Sequence, residues 1–518
     1  MKNRRILFIA FLVLLAGKIC PAKFTVNVDP VGQRYPFSYV RVHIINNTNL
    51  DMKYDISIKD GYNRGNLEIN DFEIRRGAEK YHHLAIPVAQ LPQITVEDSL
   101  GDRHRVGYSS NSREVLYIAG MESWLSQKEL TDLTSRLGLP REFISQVEPE
   151  MLPENWLCFC PFRSVVIEES DFRLLGQGEK SALMRWVRSG GELRITRAGE
   201  NEEQKTLLGT VIRTNDDPLT TFMQNLQKIR RHQLGWESYS DKFTFPYDVE
   251  GSSGYMGGFL LATFFLIAAG PVNYIYFRRK KRIRMLLISL PVISIAFCLL
   301  IILHFVGTQG FSKKGGTVSL SVLDENTDGA VTLGAHSIYS GLYPFGGFQF
   351  SAKTSFYPLK KEKDYTIDMT TKLHLKSGLF KPSSNFYYFT ATPYETREKI
   401  VYNKEDRTVT NGFEQDLTGL VLMDGDQTFK VGAIAAGEKK ALEPVAEMED
   451  PLDFAGNFLL ENKEDIFFQR YYYSFAKDVL EQGEVKYLLR FKENQPSADP
   501  GTKINSGGAC SLLAGISS

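Results

Sequence analysis

Thiols are the first side chains to weigh for chemistry, and the chain has five: Cys20, Cys158, Cys160, Cys298 and Cys510. Cys20 lies in an N-terminal leader and Cys298 inside an apolar run. The three that remain are too few for a disulfide framework. Cys158-Phe-Cys160 lacks the two-residue spacer of a redox or zinc pair, so its spacing predicts small buried residues on one face of a strand. A Cys158–Cys160 redox couple is the competing reading. His82-His83 and His104 have no carboxylates at metal-ligand spacing and read as strand or surface residues. No P-loop, HExxH, EF-hand loop or GxSxG occurs in the chain. These residues nominate no catalytic group, metal ligand or cofactor.

Cations carry the sharpest spacing. Arg278, Arg279, Lys280, Lys281, Arg282 and Arg284 put six basic side chains into seven positions, 278–284. The flanking runs, 256–277 and 285–306, hold no charged side chain. Each is long enough to cross about 30 Å of hydrocarbon as a helix. So short a link permits only an antiparallel hairpin, and the positive-inside rule places the turn in the cytoplasm. We read the six cations as setting orientation, ahead of lipid or nucleic-acid binding. Gly270-Pro271 predicts a kink in the first helix. Gly257, Gly258, Ala262, Ala268 and Ala269 offer small surfaces for close helix contact, and His304 reads as a hydrated cap.

Upstream, Lys2-Asn-Arg-Arg5, the apolar run 6–17 and the ending Cys20-Pro-Ala22 describe a secretory signal peptide over 1–22. An uncleaved anchor is the alternative. Together the two signals export residues 23–255 and 307–518 from a bacterial cytoplasmic (inner) membrane. Composition agrees. Lys+Arg and Asp+Glu are both 61, a balance that argues against a polyanion binder. A mean hydropathy of -0.22 excludes a polytopic transporter. Length alone allows three or four domains of about 100–200 residues.

The elements that position these residues change character along the chain. Residues 23–110 alternate with period two between turn formers, as in Val40-Arg-Val-His-Ile-Ile45 and Tyr54-Asp-Ile-Ser-Ile58, and predict an immunoglobulin-like β-sandwich. From 111 to 240, short apolar strands alternate with helices. Val115–Ala119, Ser164–Glu168 and Glu192–Thr196 read as strands; Ser126–Leu137, capped by Ser126 with Glu129, and Glu179–Ser189 read as helices. That alternation predicts a mostly parallel sheet, with Gly190-Gly191 ending the second helix. Residues 315–495 are β-rich. Tyr339–Phe348 and Tyr471-Tyr-Tyr473 read as core aromatics, and the Ser/Gly/Pro-rich 496–518 as a disordered tail.

Ser164-Val-Val-Ile-Glu-Glu-Ser-Asp-Phe172, followed by Ala182-Leu-Met-Arg-Trp-Val-Arg-Ser-Gly-Gly-Glu-Leu193, resembles the class I glutamine amidotransferase-like module of bacterial membrane proteins. Ala269-Gly-Pro-Val-Asn-Tyr-Ile-Tyr-Phe-Arg278 is similar to the end of their first membrane helix. Asn411–Leu422 with Phe429–Glu438 is similar to their C-terminal sandwich motif. The resemblance implies this order: signal peptide, β-sandwich, Rossmann-like α/β domain, two-helix transmembrane hairpin and C-terminal β-sandwich-like domain. True amidotransferases carry a Gly-x-Cys-x-Gly nucleophile turn, whereas this chain has Glu168-Glu-Ser-Asp171, with neither cysteine nor flanking glycines. A Ser170–His232 pair is the weak substitute.

The expectation is therefore a multidomain α/β plus all-β protein with a non-catalytic interaction, assembly or transport-accessory role in the envelope. Its expected partners are the lipid bilayer and other envelope proteins, and no nucleic acid. The alternative is an enzyme or small-ligand sensor using the degenerate α/β pocket.

Overall fold

The computed structural model describes residues 24–34, 37–59, 66–87, 93–99, 101–107, 115–120, 125–136, 144–217, 255–309, 314–324, 328–340, 347–351, 353–358, 365–377, 384–425, 427–445, 450–459, 477–480, 484–492 and 505–517. The leader and His232 lie outside these residues, as does Tyr471-Tyr-Tyr473. The chain is a mixed α/β, multidomain protein with several β-sheets, one of them mostly parallel, and two adjacent long helices.

Seven antiparallel strands come first: β1 (Phe24–Arg34), β2 (Phe37–Asn46), β3 (Met52–Lys59), β4 (Asn66–Ile74), β5 (Glu79–Pro87), β6 (Gln93–Asp98) and β7 (Arg103–Gly107). β1-β2-β5 form one sheet and β4-β3-β6-β7 belong to another. On β3, Tyr54, Ile56 and Ile58 are buried while Asp55 is exposed, as the period-two pattern requires. Alternation also makes the three-stranded sheet a shared wall. Val40, Val42, Ile44, Leu84 and Ile86 join the core of the second sheet. Val31, Tyr39 and Ala85 join the core of the following α/β unit.

That unit comprises β8 (Val115–Ile118), α1 (Gln127–Arg136), β9 (Ile144–Val147), β10 (Ser164–Glu168), α2 (Glu169–Leu174), α3 (Gln177–Arg188), β11 (Glu192–Thr196), β12 (Glu202–Thr206) and β13 (Gly209–Arg213). The order is β12-β13-β11-β10-β8-β9, parallel except for β12 on β13. Ser126 and Glu129 form the expected capping box: Glu129 Oε2 accepts from the Ser126 N–H at 2.7 Å, and the Glu129 N–H donates to Ser126 Oγ at 3.3 Å. Gly190 takes φ +107 after α3. A Cβ at Gly209 would stand 1.9 Å from the Val187 carbonyl oxygen, so β13 packs on α3 only through glycine. The strand expected at Cys158-Phe-Cys160 is instead a 3-10 turn, Trp156–Phe159, opened by Asn155, whose side chain accepts from the Leu157 N–H. All four of its residues are buried, so the turn has no solvent face for a strand's alternation to mark.

The hairpin consists of α4 (Tyr255–Ile267), a π-helical turn (Ala268–Val272), α5 (Asn273–Arg279) and α6 (Leu286–Gln309). Beyond it run β14 (Lys314–Asp324), β15 (Gly329–Ser340), β16 (Phe348–Phe350), β17 (Ser355–Pro358), β18 (Thr366–Asp368), β19 (Leu373–Ser377) and β20 (Ser384–Glu395). β21 (Ile400–Asn403), β22 (Thr408–Asn411), β23 (Leu417–Asp424), β24 (Gln427–Val431), β25 (Lys439–Ala441) and β26 (Glu443–Pro444) follow, then α7 (Pro451–Leu459), α8 (Lys477–Leu480), β27 (Glu484–Phe491) and β28 (Asn505–Ser517). A nine-stranded sheet has the order β17-β20-β15-β14-β28-β27-β23-β24-β26, and β21-β22-β25 form a smaller one. β28 falls within the tail expected to be disordered. It lies parallel to β14 and antiparallel to β27, with Leu512, Leu513 and Ala514 buried. At 512–514 the two faces of this strand enter two different cores, where composition alone suggested a disordered tail.

Three downstream strands leave their neighbours to extend the second sheet, giving β16-β19-β18-β4-β3-β6-β7. β18 pairs with β4 in parallel, Leu67 opposite Ile367. Chain from both sides of the hairpin thus builds one sheet.

One topology also occurs twice. β1-β2-β5 beside β4-β3-β6-β7 matches β21-β22-β25 beside β24-β23-β27-β28, every pairing antiparallel. The matching turns agree in atomic detail. Asn46 ends β2 and donates through Nδ2 to the carbonyls of Leu50, Ile74 and Arg75. Asn411 ends β22 and donates to those of Gln415, Ile434 and Ala435. Gly77 and Gly437 take φ +64 and +73 at equivalent places.

Candidate functional site

Two regions gather the residues that chemistry could use: the hairpin, and the carboxyl end of the parallel sheet, where strands β8, β10 and β11 stop.

In the hairpin, Gly257–Arg279 and Ile283–His304 are 23 and 22 residues long, apolar and long enough to cross a membrane. Among the described residues, every large exposed apolar side chain except Leu50, Leu174 and Val401 lies between 259 and 303. The two helices meet along a narrow seam. Ser289 Oγ donates to Asn273 Oδ1 at 3.1 Å, Phe265 packs on Phe297, and the His304 ring covers Gly257 so closely that a Cβ there would collide. Where Gly270-Pro271 predicts a kink, the helix inserts a π-helical turn. Proline has no N–H to give, and the wider turn accommodates it while the helix continues.

The six cations are exposed and sit together at the tip. Arg278 and Arg279 close α5, where a positive charge complements the helix dipole. Lys280 reaches back to the Tyr276 hydroxyl at 2.7 Å and lies 4.6 Å over that ring. Lys281 adopts φ +53, which turns the chain toward the 3-10 turn Ile283–Met285.

At the end of the parallel strands, carboxylates and guanidinium groups converge. Glu168 closes β10 and is buried; Arg197, with φ +53 just past β11, donates to its Oε2 at 3.0 Å. Burial raises the Glu168 carboxyl above its usual range, against the pull of Arg197, and nearby Asp171 raises it further. Asp171 is buried too and accepts from the Gly120 N–H at 2.9 Å. Gly120 permits this approach, since a Cβ would lie 2.9 Å from Asp171 Oδ1. Arg213 Nη1 holds Glu169 at 3.0 Å. Ser170 is exposed on α2 between these acids. The cluster could have been read from Glu168-Glu-Ser-Asp171 at the end of a fully buried strand, but Arg197, just past β11, and Arg213, on β13, come from elsewhere in the chain and carry no local signal.

Cys158 and Cys160 are free thiols pushed up by burial, which suppresses the thiolate that redox chemistry needs. His82 and His83 both lie on strand β5, as their sequence setting suggested, His82 buried and His83 partly so. They bond Tyr54 and Tyr39 respectively, beside a cavity of about 180 Å³ that Asn155 and Thr370 also line. Among the described residues, no cluster of His, Cys, Asp or Glu is arranged to hold a metal ion.

No protein-family model matches the chain. No curated protein matches it either. Among solved structures, the yeast delta-COP-I mu-homology domain is similar at 7% identity with a TM-score of 0.20, over 40% of this chain and 98% of that one. The same domain with a Dsl1 WxWxV peptide gives 9% and 0.19 over the same shares. A Paenibacillus cycloisomaltooligosaccharide glucanotransferase gives 9% and 0.13, over 27% of this chain and 19% of that one. Similarity this slight assigns neither fold nor activity, and the chain stands as a multidomain, β-rich protein with two long apolar helices.

Proposed function

We propose that the chain is a bacterial envelope protein held in the cytoplasmic membrane by its hairpin, with its sheets outside serving as a non-catalytic platform for interaction or assembly with other envelope proteins. One observation carries this reading: an apolar helix pair, bare on its outer surface, ends in six exposed cations. In water that surface would be costly at about 25 cal/mol per Å²; in hydrocarbon it is the expected exterior. The parallel strand order supports the amidotransferase-like, Rossmann-like reading of the α/β unit, and the paired sheets support β-sandwiches on either side of it. The shared sheet through β4 and β18 suits a staple: both chain segments leaving the hairpin return to one body.

A second reading rests on Glu168, Asp171 and Arg197. Ligands in α/β sheets bind beyond the carboxyl ends of the strands, where these residues stand, so a small-ligand sensor is the alternative.

Topology is the test. A single cysteine replacing exposed Glu405 should react with a membrane-impermeant maleimide in intact cells, and one replacing Lys281 only after lysis. The reverse pattern overturns the proposal. Turnover of glutamine or an acyl substrate, abolished by Ser170→Ala, would replace the platform with an enzyme.

A further inference from the structure

We infer that the hairpin tip is a binding site for the phosphate of an anionic lipid headgroup, beyond any role in orientation; this rests on the membrane reading above. The first support is charge without a counter-ion. Six cations occupy 278–284, and no Asp or Glu occurs between Glu250 and Asp324. None of the six enters an ion pair among the described residues.

Geometry is the second. The left-handed Lys281 and the 3-10 turn after it curl the backbone around an open cavity of about 520 Å³ lined by Lys281, Arg282, Ile283, Arg284 and Met285. Three cations and two apolar side chains share one space. The mixture matches an amphiphile: the cations face a phosphodiester, and the half-exposed Ile283 and Met285 face glycerol and the first acyl carbons. A nucleic acid would not use those two side chains, and free phosphate would gain nothing from them. The start of α6, whose N–H groups face the turn, adds to the positive field. Lys280 is tied to Tyr276 and stands apart from the cavity.

The test uses the full chain in zwitterionic detergent, titrated with phosphatidylglycerol, phosphatidylcholine, inorganic phosphate and a single-stranded oligonucleotide. Phosphatidylglycerol should bind at least about tenfold more tightly than phosphatidylcholine, given the attraction expected of several cations at a headgroup. K281Q/R282Q/R284Q, which keeps Arg278, Arg279 and Lys280, should lose that preference. R282K/R284K, a milder change, should keep most of it and guards against misfolding of the triple variant. Equal affinity for the two lipids overturns the proposal, and so does inorganic phosphate or the oligonucleotide matching phosphatidylglycerol. Alkaline carbonate extraction separates the two levels of failure. A chain that stays in membranes yet shows no lipid preference defeats this site alone, whereas a chain released by carbonate defeats the membrane reading itself.

Discussion

His82 and His83 stand side by side on β5, and alternation sends one to each face of the shared wall. His82 packs on Phe72 and Tyr54 within the sheet-on-sheet core; His83 meets Tyr39, which packs edge-on to Phe162 in the α/β core. Burial lowers both to about 4, helped by Lys80 and His83 around the first and by Arg41 beside the second. The folded value lies below the ordinary 6.5, so protonation favours the unfolded chain. Their contribution to stability is complete above about pH 6.5 and is lost as the pH falls from there toward 4. For His82 this amounts to about 3 kcal/mol. Thermal unfolding of the full chain in detergent should show a midpoint that drops across this window, and a His82→Asn variant should show a shallower drop. A midpoint flat from pH 6.5 to 4 would contradict the neutral, buried assignment. Histidine type and spacing alone suggested strand or surface positions, because which core a strand faces is a tertiary fact.

The unit that matters at the next scale is the turn closed by a buried asparagine. Asn46 and Asn411 are both fully buried, and each ties a strand end to a later Ile-x-x-Gly turn: Ile74-Arg-Arg-Gly77 in one case, Ile434-Ala-Ala-Gly437 in the other. The Asn46 side chain receives the Thr48 N–H and Asn411 that of Phe413, both two residues on. Removing the side chain strands buried carbonyls, at about 1–3 kcal/mol for each group left unpaired. Asn46→Ala and Asn411→Ala should therefore each destabilise by about 3 kcal/mol. Because the two turns belong to different sheets, their effects should add. Urea titration followed by tryptophan fluorescence would measure this, and a neutral Asn46→Ala would show that water replaces the lost donors. The repeat was barely legible beforehand, since two short words in a long chain are no pattern until their hydrogen bonds coincide.

At the scale of the molecule, the hairpin interrupts the chain between two segments that pair with each other. Beyond the β4–β18 pairing, the Asn70 N–H donates to Thr370 Oγ1 at 3.0 Å and Trp156 Nε1 to the Lys353 carbonyl at 2.7 Å. Arg185, partly buried, approaches the exposed Glu395 at 3.9 Å, too long a contact to add much. Cysteines replacing Asn70 and Thr370 should crosslink through a short bismaleimide within one chain, giving a compact monomer on a denaturing gel. Crosslinked dimers, or no product, would mean that the halves do not meet in this way. Loop closure explains how so distant a pairing is sustained: its entropic cost grows only with the logarithm of the intervening length, and two helices fixed side by side shorten the effective separation.

The sequence by itself determined the features that depend on short-range pattern. Strand alternation at Tyr54-Asp-Ile-Ser-Ile58, the Ser126–Glu129 cap, strands 164–168 and 192–196 to the residue, and the two apolar runs around one basic turn were all written within a few neighbouring positions. Tertiary structure alone decided the rest. It turned Trp156–Phe159 into a buried 3-10 turn, drew β28 out of a Ser/Gly-rich tail, placed β18 beside β4 and brought Arg197 to Glu168. Each of these depends on what covers a residue from another part of the chain. A local pattern records which face is apolar, but not which distant surface will cover it.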